Sequence, residues 1–133
     1  MADTFQIEII TPDRVFYTGE TDFVEFTTTE GEMGVYKNHI PLTAVLAPGQ
    51  ILIHKGEETK EAALHAGFVE ILEEKITFLA EIAEWPGEID LARAEAARKR
   101  AEDRIAAHAA DLDLKRAEIA LKKSLIRISM AGK

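Results

Sequence analysis

A chain of 133 residues, 47% of them hydrophobic, is long enough for one small domain, or for one domain with an appendage. It contains no cysteine, which excludes disulfides, thiolate metal ligands and a cysteine nucleophile. No apolar run reaches the roughly 20 residues of a membrane-spanning helix, and the first four residues lack the features of a signal peptide, so we expect a soluble protein that is not exported.

The net charge of −8 is unevenly distributed along the chain. Up to Pro86 there are 5 basic and 16 acidic residues, a net charge of −11, whereas from Gly87 onward there are 11 basic and 8 acidic residues, a net charge of +3. The acidic first part argues against binding of nucleic acid. The basic second part suits phosphate groups or an acidic protein surface, although a solvated helix face would have the same composition.

The first 86 residues have the pattern of short β-strands. Apolar and polar residues alternate with a period of two, and turn residues interrupt this alternation about every ten positions. The strand segments predicted in this way are 5–9, 15–17, 22–29, 33–36, 42–46, 50–54, 59–65, 68–72 and 76–82. About ten short strands at such spacing predict an antiparallel β-sandwich or a barrel, and of the two we take the sandwich as the predicted fold.

The segment 84–94 marks the change from strands to helices. Pro86-Gly87 ends the strand pattern, and the side chain of Asp90 is placed to accept hydrogen bonds from the amides two and three residues further on, as a helix N-cap does. We therefore predict a β-sandwich domain over residues 1–86 and a helical domain over residues 87–133.

The helical domain contains two stripes of apolar residues at helical spacing. The first helix is predicted over about 91–109 and the second over about 114–131, with Asp111 and Asp113 supplying a turn and the second N-cap. The stripes consist of Ala94, Ala97, Ala101 and Ile105, and of Leu114, Ala117, Leu121, Leu125 and Ile128. Because the connection is short, we expect an antiparallel helical hairpin with closely spaced axes. Its alanine-rich interface buries little area, so the hairpin should be only marginally stable and able to move.

The segment 31–42 combines two glycines, an Asn-His pair and a proline, which predicts a shaped loop between strands. One hypothesis is that His39 and Glu32 act there as the acid–base pair of a hydrolase. A histidine hydrogen-bonded to the backbone of a turn is the simpler interpretation, because no nucleophile or oxyanion-stabilising group accompanies the pair. The remaining histidines, none of them with neighbours at metal-ligand spacing, are His54, His65 and His108. No metal site is predicted.

Helical geometry groups several arginines of the first predicted helix. At about 100 degrees per residue, three of them fall within a band of roughly 40 degrees, one turn after Asp90. They are Arg93, Arg100 and Arg104. Guanidinium groups beside the positive end of a helix suit a polyphosphate, with the aspartate left to accept hydrogen bonds from a sugar or a base. The alternative is an ordinary helix surface with ion pairs such as Arg98 with Glu102.

Five parts of the chain, in this order, resemble the epsilon subunit of F-type ATP synthase, which is called delta in mitochondria. They are Ile10-Thr11-Pro12-Asp13; Gly31-Glu32-Met33-Gly34-Val35 with His39-Ile40-Pro41-Leu42; Gly67-Phe68-Val69-Glu70; Ile89-Asp90-Leu91-Ala92-Arg93-Ala94; and Asp113-Leu114-Lys115-Arg116-Ala117-Glu118. The resemblance covers nearly the whole chain. It implies a noncatalytic, peripheral rotor subunit at the cytoplasmic face of the bacterial cell membrane, whose β-sandwich binds the gamma subunit and the ring of c subunits.

In such a subunit the loop that contains Glu32 and His39 faces the c ring. The resemblance further implies that the helical hairpin either folds on the sandwich or extends along gamma. When extended, its basic residues meet acidic segments of the beta subunits, and of alpha, and inhibit ATP hydrolysis. This agrees with the charge distribution, and no metal or redox cofactor and no nucleic acid is implied.

Some members of the family bind ATP through a motif of Ile or Leu, Asp, two variable residues, Arg and Ala. This chain matches the motif, and the resemblance extends to four further positions, one of which has lysine where ATP-binding relatives can have arginine. The implied ATP-binding residues are Glu84, Ile89, Asp90, Arg93, Ala94, Arg100, Lys123 and Arg127. Lysine keeps the charge but loses the bidentate fork, so its effect is expected in the affinity. ATP is thus the expected regulatory ligand, with the role of magnesium open; the alternative is a purely structural coupling subunit without nucleotide regulation.

Overall fold

The computed structural model describes residues 3–107 and 113–131. The chain divides into two compact units, and the boundary in the sequence lies between Ala83 and Glu84. The strands are β1 Phe5–Ile10, β2 Val15–Thr21, β3 Phe23–Thr28, β4 Gly31–Val35, β5 Leu42–Leu46, β6 Gly49–Lys55, β7 Glu58–Ile71 and β8 Lys75–Glu84. They are followed by a 3-10 turn, Pro86–Glu88, and by two helices, α1 Leu91–Ala107 and α2 Leu114–Met130. The predicted class, a β-sandwich followed by a helical hairpin, is confirmed.

The strands form one hydrogen-bonded sheet in the order β2-β1-β8-β7-β5-β3-β4, and β6 pairs with both β3 and β7. Most neighbours are antiparallel, but β1 runs parallel to β8, with Ile9 opposite Phe78. The prediction of a fully antiparallel sandwich is therefore wrong for this pair. β1 and β8 lie at opposite ends of the first unit in sequence, so no hairpin turn imposes opposite directions on them.

β7 is one strand of 14 residues, whereas the sequence pattern predicts two separate strands in this region. Its first part pairs with β6 and its last part with β5. The change of partner occurs at Ala66 and Gly67, which have φ values of 59 and 119 degrees. Within residues 3–107 and 113–131 the sheet accordingly has eight strands and not about ten. A change of partner and the end of a strand interrupt the alternation of apolar residues in the same way, which explains the difference.

The core of the sandwich consists of apolar side chains that alternate with outward-facing ones along each strand. They include Phe5, Ile7, Ile9, Val24, Phe26, Ile51, Ile53, Ile76 and Phe78. The rings of Phe26 and Phe78 meet edge to face, with their centroids 4.9 Å apart. Because β3 and β8 are not neighbours in the sheet, this contact joins its two layers.

The two helices pack against each other through small side chains. Ala94 and Ala101 of α1 are buried, as are Ala117 and Ser124 of α2. The helix interface is thus formed in part by alanine, as predicted, and short side chains at such positions allow helix axes to approach closely. No helix in the described residues is both long and apolar enough to cross a membrane.

The start of α2 is fixed by its N-cap. Asp113 Oδ1 accepts a hydrogen bond from the backbone N–H of Arg116 at 3.1 Å, which confirms this residue as the predicted cap. The predicted last turn of the first helix, with His108, and the predicted turn residue Asp111 lie outside the described residues.

Candidate functional site

The second unit contains a cleft of about 360 Å3 beside the first turns of α1. This volume is typical of small-molecule sites. The residues that line it, called the arginine cleft below, are Glu84, Glu88, Ile89, Asp90, Arg93, Ala94, Ala97, Arg100 and Arg127. Seven of the eight residues implied by the resemblance are among them, whereas Lys123, one turn before Arg127 on α2, is not. Arg104, from the predicted arginine band, also does not line the cleft.

Local hydrogen bonds shape the wall of the cleft that precedes α1. The carboxylate of Glu88 accepts from the backbone N–H of Trp85 at 2.9 Å, and the N–H of Glu88 donates to the carbonyl of Trp85 at 2.9 Å. Asp90 Oδ1 then accepts from the N–H of Arg93 at 3.1 Å, which confirms Asp90 as the predicted N-cap of α1. This reciprocal turn and the cap give the chain entering the helix a defined path.

An ion pair holds the end of α2 in the same cleft. Nε of Arg127 donates a hydrogen bond to Oε1 of Glu84 at 2.7 Å. The two side chains are 26% and 21% exposed, so the pair is partly shielded from solvent. Since Glu84 belongs to the same compact unit as the helices, the pair is internal to that unit.

The other two arginines of the cleft lie seven residues apart on α1, on one face of the helix. Arg93 and Arg100 are exposed, and within residues 3–107 and 113–131 their guanidinium groups have no hydrogen-bonding or ion-pair partner. Ala97 lies between them and lines the cleft without filling it. Two unpaired guanidinium groups and a third held by a carboxylate suit a ligand with several phosphate oxygens.

Arg98 shows the contrast on the same helix. Its Nη1 lies 3.9 Å from Oε1 of Glu102, which confirms the predicted i,i+4 ion pair. Arg98 does not line the cleft. An ion pair of this kind, on a side chain 42% exposed, contributes little to stability.

A second candidate surface lies in the first unit, at the loop between β4 and β5. The loop is held by the N–H of Asn38, which donates to the carbonyl of Glu73 at 2.8 Å, and by Nδ1 of His39, which donates to the carbonyl of Ile40 at 2.6 Å. Glu32 is exposed on β4, and no hydrogen bond joins it to His39 in the described part of the chain. The acid–base pair of the hydrolase hypothesis is therefore not formed, and the simpler interpretation of His39 is confirmed.

Exposed apolar side chains lie in this loop and beside it. Ile40 is 79% exposed, and three further large side chains are also open to solvent. The four residues, called the loop surface below, are Tyr36, Ile40, Leu42 and Leu72. A grouping of exposed apolar side chains beside a fixed loop is typical of a protein contact.

Besides His39, the described residues include two histidines, of which His54 makes side-chain contacts and His65 is buried. Nε2 of His54 lies 2.7 Å from Oε2 of Glu25, and its Nδ1 lies 3.1 Å from the hydroxyl oxygen of Thr59. His65 is fully buried in β7. Across the two ranges that the structure describes, no three His, Cys, Asp or Glu side chains are placed to hold a metal ion.

A third surface crosses the outer face of the sheet from β2 to β5. Val15 lies opposite Ile10, and Ile10 lies beside Leu79. Phe68 lies opposite Val45. The hydrogen bond from the N–H of Leu72 to the carbonyl of Lys75 sets the register of the β7–β8 hairpin, and counting back from it places Phe68 opposite Leu79. The five residues, called the apolar stripe below, are Val15, Ile10, Leu79, Phe68 and Val45.

Four of the five side chains in the apolar stripe are strongly exposed; Phe68 is 54% and Leu79 51% exposed. A continuous row of this kind across a sheet face marks an interaction surface more strongly than scattered exposed leucines do.

Family models match both units of the chain. The model of the ATP synthase delta/epsilon chain β-sandwich domain matches residues 4–86, and that of the ATP synthase delta/epsilon chain long α-helix domain matches residues 88–132. The chain belongs to the ATP synthase delta/epsilon family. As a member of this family it is a noncatalytic stalk subunit, so Glu32 and His39 do not form a catalytic pair.

Comparisons with individual proteins agree with this family assignment. This delta/epsilon chain is 42% identical to the ATP synthase epsilon chain of Caldanaerobacter subterraneus subsp. tengcongensis, over 100% of this chain and 97% of that relative. It is 44% identical to the ATP synthase epsilon chain of Alkaliphilus oremlandii, over 80% of each chain. Its fold is similar to that of a chain in the cryo-EM structure of the Euglena gracilis mitochondrial ATP synthase with OSCP, F1 and c-ring, with a TM-score of 0.80 and 21% identity over 92% of this chain and 78% of that chain.

Sequence reasoning missed two residues of the arginine cleft in this delta/epsilon chain, Glu88 and Ala97. Ala97 lies four residues after Arg93 and three before Arg100, so helical spacing alone was sufficient to find it. Glu88 carries no such signal. Its carboxylate accepts from the backbone N–H of Trp85 at the N-cap position, and tryptophan is not one of the usual N-cap residues. The apolar stripe was also missed, since it depends on the parallel pairing of β1 with β8.

Proposed function

We propose that this chain is a rotor subunit of the ATP synthase central stalk at the cytoplasmic face of the bacterial membrane. Its sandwich joins the gamma subunit to the c ring, and its helical hairpin inhibits ATP hydrolysis unless ATP occupies the arginine cleft. The observation that carries the regulatory part is the convergence of Arg93, Arg100 and Arg127 on one cleft. Family membership supports the stalk part.

The gamma subunit binds the apolar stripe. A stable protein interface needs a desolvated apolar centre, and the stripe provides one across five strands. Its position on the outer face of regular strands also makes it rigid, which lowers the entropic cost of binding.

The c ring binds the loop surface together with Glu32 and His39. The hydrogen bond of Asn38 to Glu73 fixes the loop against the β7–β8 turn, so the exposed side chain of Ile40 is presented by a constrained backbone. The similar Euglena gracilis chain comes from an assembly that contains the c-ring, which supports this partner without defining the contact.

ATP binds in the arginine cleft with its phosphates on the guanidinium groups. Arg93 and Arg100 are unpaired in the described residues and become paired on binding, which is the source of affinity. Lys123 contributes a longer-range positive charge from the neighbouring turn of α2. The uncommitted oxygen of Asp90 is available to a ribose hydroxyl or a base amine, because only Oδ1 takes part in the helix cap.

Bound ATP stabilises the paired hairpin, because its ligands come from both helices. At a hundredfold excess over Kd the stabilisation is about 2.7 kcal/mol. Without ATP the hairpin extends, and its basic residues meet acidic segments of the beta and alpha subunits. The net charge of +3 from Gly87 onward supports this contact.

Thermal unfolding of the purified chain with and without millimolar ATP tests the regulatory part. ATP should raise the melting temperature of the wild type and of Arg98→Ala, whose side chain does not line the cleft. The effect should be lost in Arg93→Ala and in Arg100→Ala. An unchanged melting temperature of the wild type would refute nucleotide sensing, and equal losses in all three variants would indicate diffuse electrostatic binding.

The second candidate is a purely structural coupling subunit. It is favoured by the position of the apolar stripe and of the loop surface, both of which lie entirely in the first unit and require no ligand. In the reassembled ATP synthase, a chain with Arg93→Ala and Arg100→Ala together would then leave the rate of ATP hydrolysis and its dependence on ATP unchanged. A change in either property supports the regulatory function.

A further inference from the structure

Three carboxylates line the arginine cleft, those of Glu84, Glu88 and Asp90, and each of them opposes an anionic ligand. Glu88 and Asp90 accept hydrogen bonds from backbone N–H groups, whereas Glu84 forms an ion pair with Arg127, one of the arginines of the cleft. We propose that Glu84 is a positioning residue: it does not bind the ligand, but holds the guanidinium group of Arg127 in the orientation that the ligand requires. This inference rests on the proposed function of the cleft as a site for a phosphate-containing ligand.

The atoms that form the pair support this role. Glu84 Oε1 accepts from Nε of Arg127 at 2.7 Å, and no hydrogen bond from the two terminal nitrogens to another described residue is present. A guanidinium group has five N–H donors, so four remain for a ligand after Nε is engaged. The carboxylate therefore fixes the plane of the guanidinium group while leaving its terminal edge available.

Preorganisation explains why such a pair belongs in an anion site. Arginine has a long side chain with considerable rotamer entropy, and a ligand that must immobilise it loses affinity. The other two arginines of the cleft are exposed and unrestrained by any described partner. Arg127 and Glu84 are both about one-quarter exposed, which makes their hydrogen bond less open to competition from water.

Two other roles for Glu84 predict different results. If Glu84 competes with the ligand for Arg127, removal of its carboxylate should strengthen binding of any anion. If Glu84 contacts the nucleoside directly, its removal should weaken binding of ATP but not of an inorganic polyphosphate. A positioning residue should matter equally for both ligands, and a neutral acceptor of the same shape should replace it.

Isothermal titration calorimetry with the full chain distinguishes these roles, with ATP and inorganic tripolyphosphate as the two probes. Glu84→Gln retains an acceptor for Nε and should bind both probes within about threefold of the wild type. Glu84→Ala removes the acceptor and should bind both about tenfold or more weakly. Glu84→Met keeps the length of the side chain without an acceptor, and should behave as Glu84→Ala does. Glu95→Ala, which removes an exposed carboxylate of α1 outside the cleft, is the matched control and should bind as the wild type.

A double substitution completes the test. Once Arg127→Ala has removed the guanidinium group, Glu84→Ala should cause no further loss of affinity, because a positioning residue acts only through its partner. Tighter binding of both probes by Glu84→Ala and Glu84→Met would overturn the proposal in favour of competition. A loss confined to ATP would overturn it in favour of nucleoside contact. If the wild type binds neither probe, the proposed function of the cleft itself fails. If the wild type binds both probes but the Glu84 variants do not behave as described, only the positioning role of Glu84 fails.

Discussion

Gly67 lies where β7 changes its partner strand, and its replacement by alanine should severely destabilise the sandwich. Its φ of 119 degrees belongs to a region that only glycine adopts readily. A Cβ atom at this position would overlap the carbonyl oxygen of Leu79 and would lie 2.9 Å from Cα of Ala80. Both are backbone atoms of β8, so neither can move aside by a change of rotamer.

Gly31 provides a control that separates the two costs. It has almost the same φ, 121 degrees, but a Cβ atom there would meet nothing within 4 Å. Gly31→Ala should therefore cost only the backbone strain, about 1–2 kcal/mol. Gly67→Ala adds the overlap with β8, which we place at about 2 kcal/mol, for a total of about 3–4 kcal/mol. This is a large part of the 5–15 kcal/mol that typically stabilises a domain.

Urea unfolding of the full chain measures this difference. When it is followed through the amide resonances of β7 and β8, it reports the unfolding of the sandwich and not that of the helical hairpin. With a slope of about 2 kcal/mol per molar urea, the midpoint for Gly67→Ala should lie about 1 M below that for Gly31→Ala. Equal midpoints for the two variants would show that β8 yields easily and would refute the close approach as the reason for glycine. The backbone at Gly67 also sets the outward direction of the next side chain, Phe68. If this part of β7 shifts easily, the assignment of Phe68 to the apolar stripe is weakened.

Three further results are expected. Ala97→Leu should fill the arginine cleft and weaken ATP binding by about tenfold in calorimetry. Ala96→Leu, at an exposed position that does not line the cleft, should leave ATP binding unchanged. Equal effects of the two substitutions would contradict the placement of the ligand in the cleft. Asp113→Ala should lower the protection of α2 amides against hydrogen exchange by about 1 kcal/mol through loss of the N-cap, and Asp113→Asn should restore it. Phe68→Glu should weaken binding of the gamma subunit at least tenfold in a pull-down titration. Thr59→Glu, elsewhere on β7, should leave this binding unchanged. If Phe68→Glu binds gamma as the wild type does, the apolar stripe is not part of the interface.

Features that depend on neighbouring residues could be predicted from the sequence. Asp90 and Asp113 were identified as N-caps because a cap and the amide it binds lie three residues apart. Arg93 and Arg100 were grouped because the helical repeat alone places them on one face. The alternation of apolar residues likewise predicted the strands and the class of the fold.

Features that join distant parts of the chain could not be derived in this way. Arg127 and Glu84 are separated by 43 residues, and only the family resemblance placed them in one site. The parallel pairing of β1 with β8, on which the apolar stripe depends, leaves no local signal. Ala66 and Gly67 did give a signal, but a strand that changes partner and a strand that ends produce the same interruption of the pattern.

The free energy of pairing the two helices is of the same order as the part of the ATP-binding free energy that depends on α2. This makes regulation of the hairpin by ATP physically reasonable. Each buried methyl or methylene group contributes about 0.8 kcal/mol, so the buried side chains of Ala94, Ala101, Ala117 and Ser124 contribute on the order of 3 kcal/mol to helix pairing. A ligand shifts this equilibrium only by the difference between its affinities for the two states. If α2 moves away, the ligand loses Arg127, a charged hydrogen-bonding partner whose contribution is about 1.5–3 kcal/mol. Through Arg127, occupancy of the cleft can therefore shift the pairing of the helices by roughly ten- to a hundredfold.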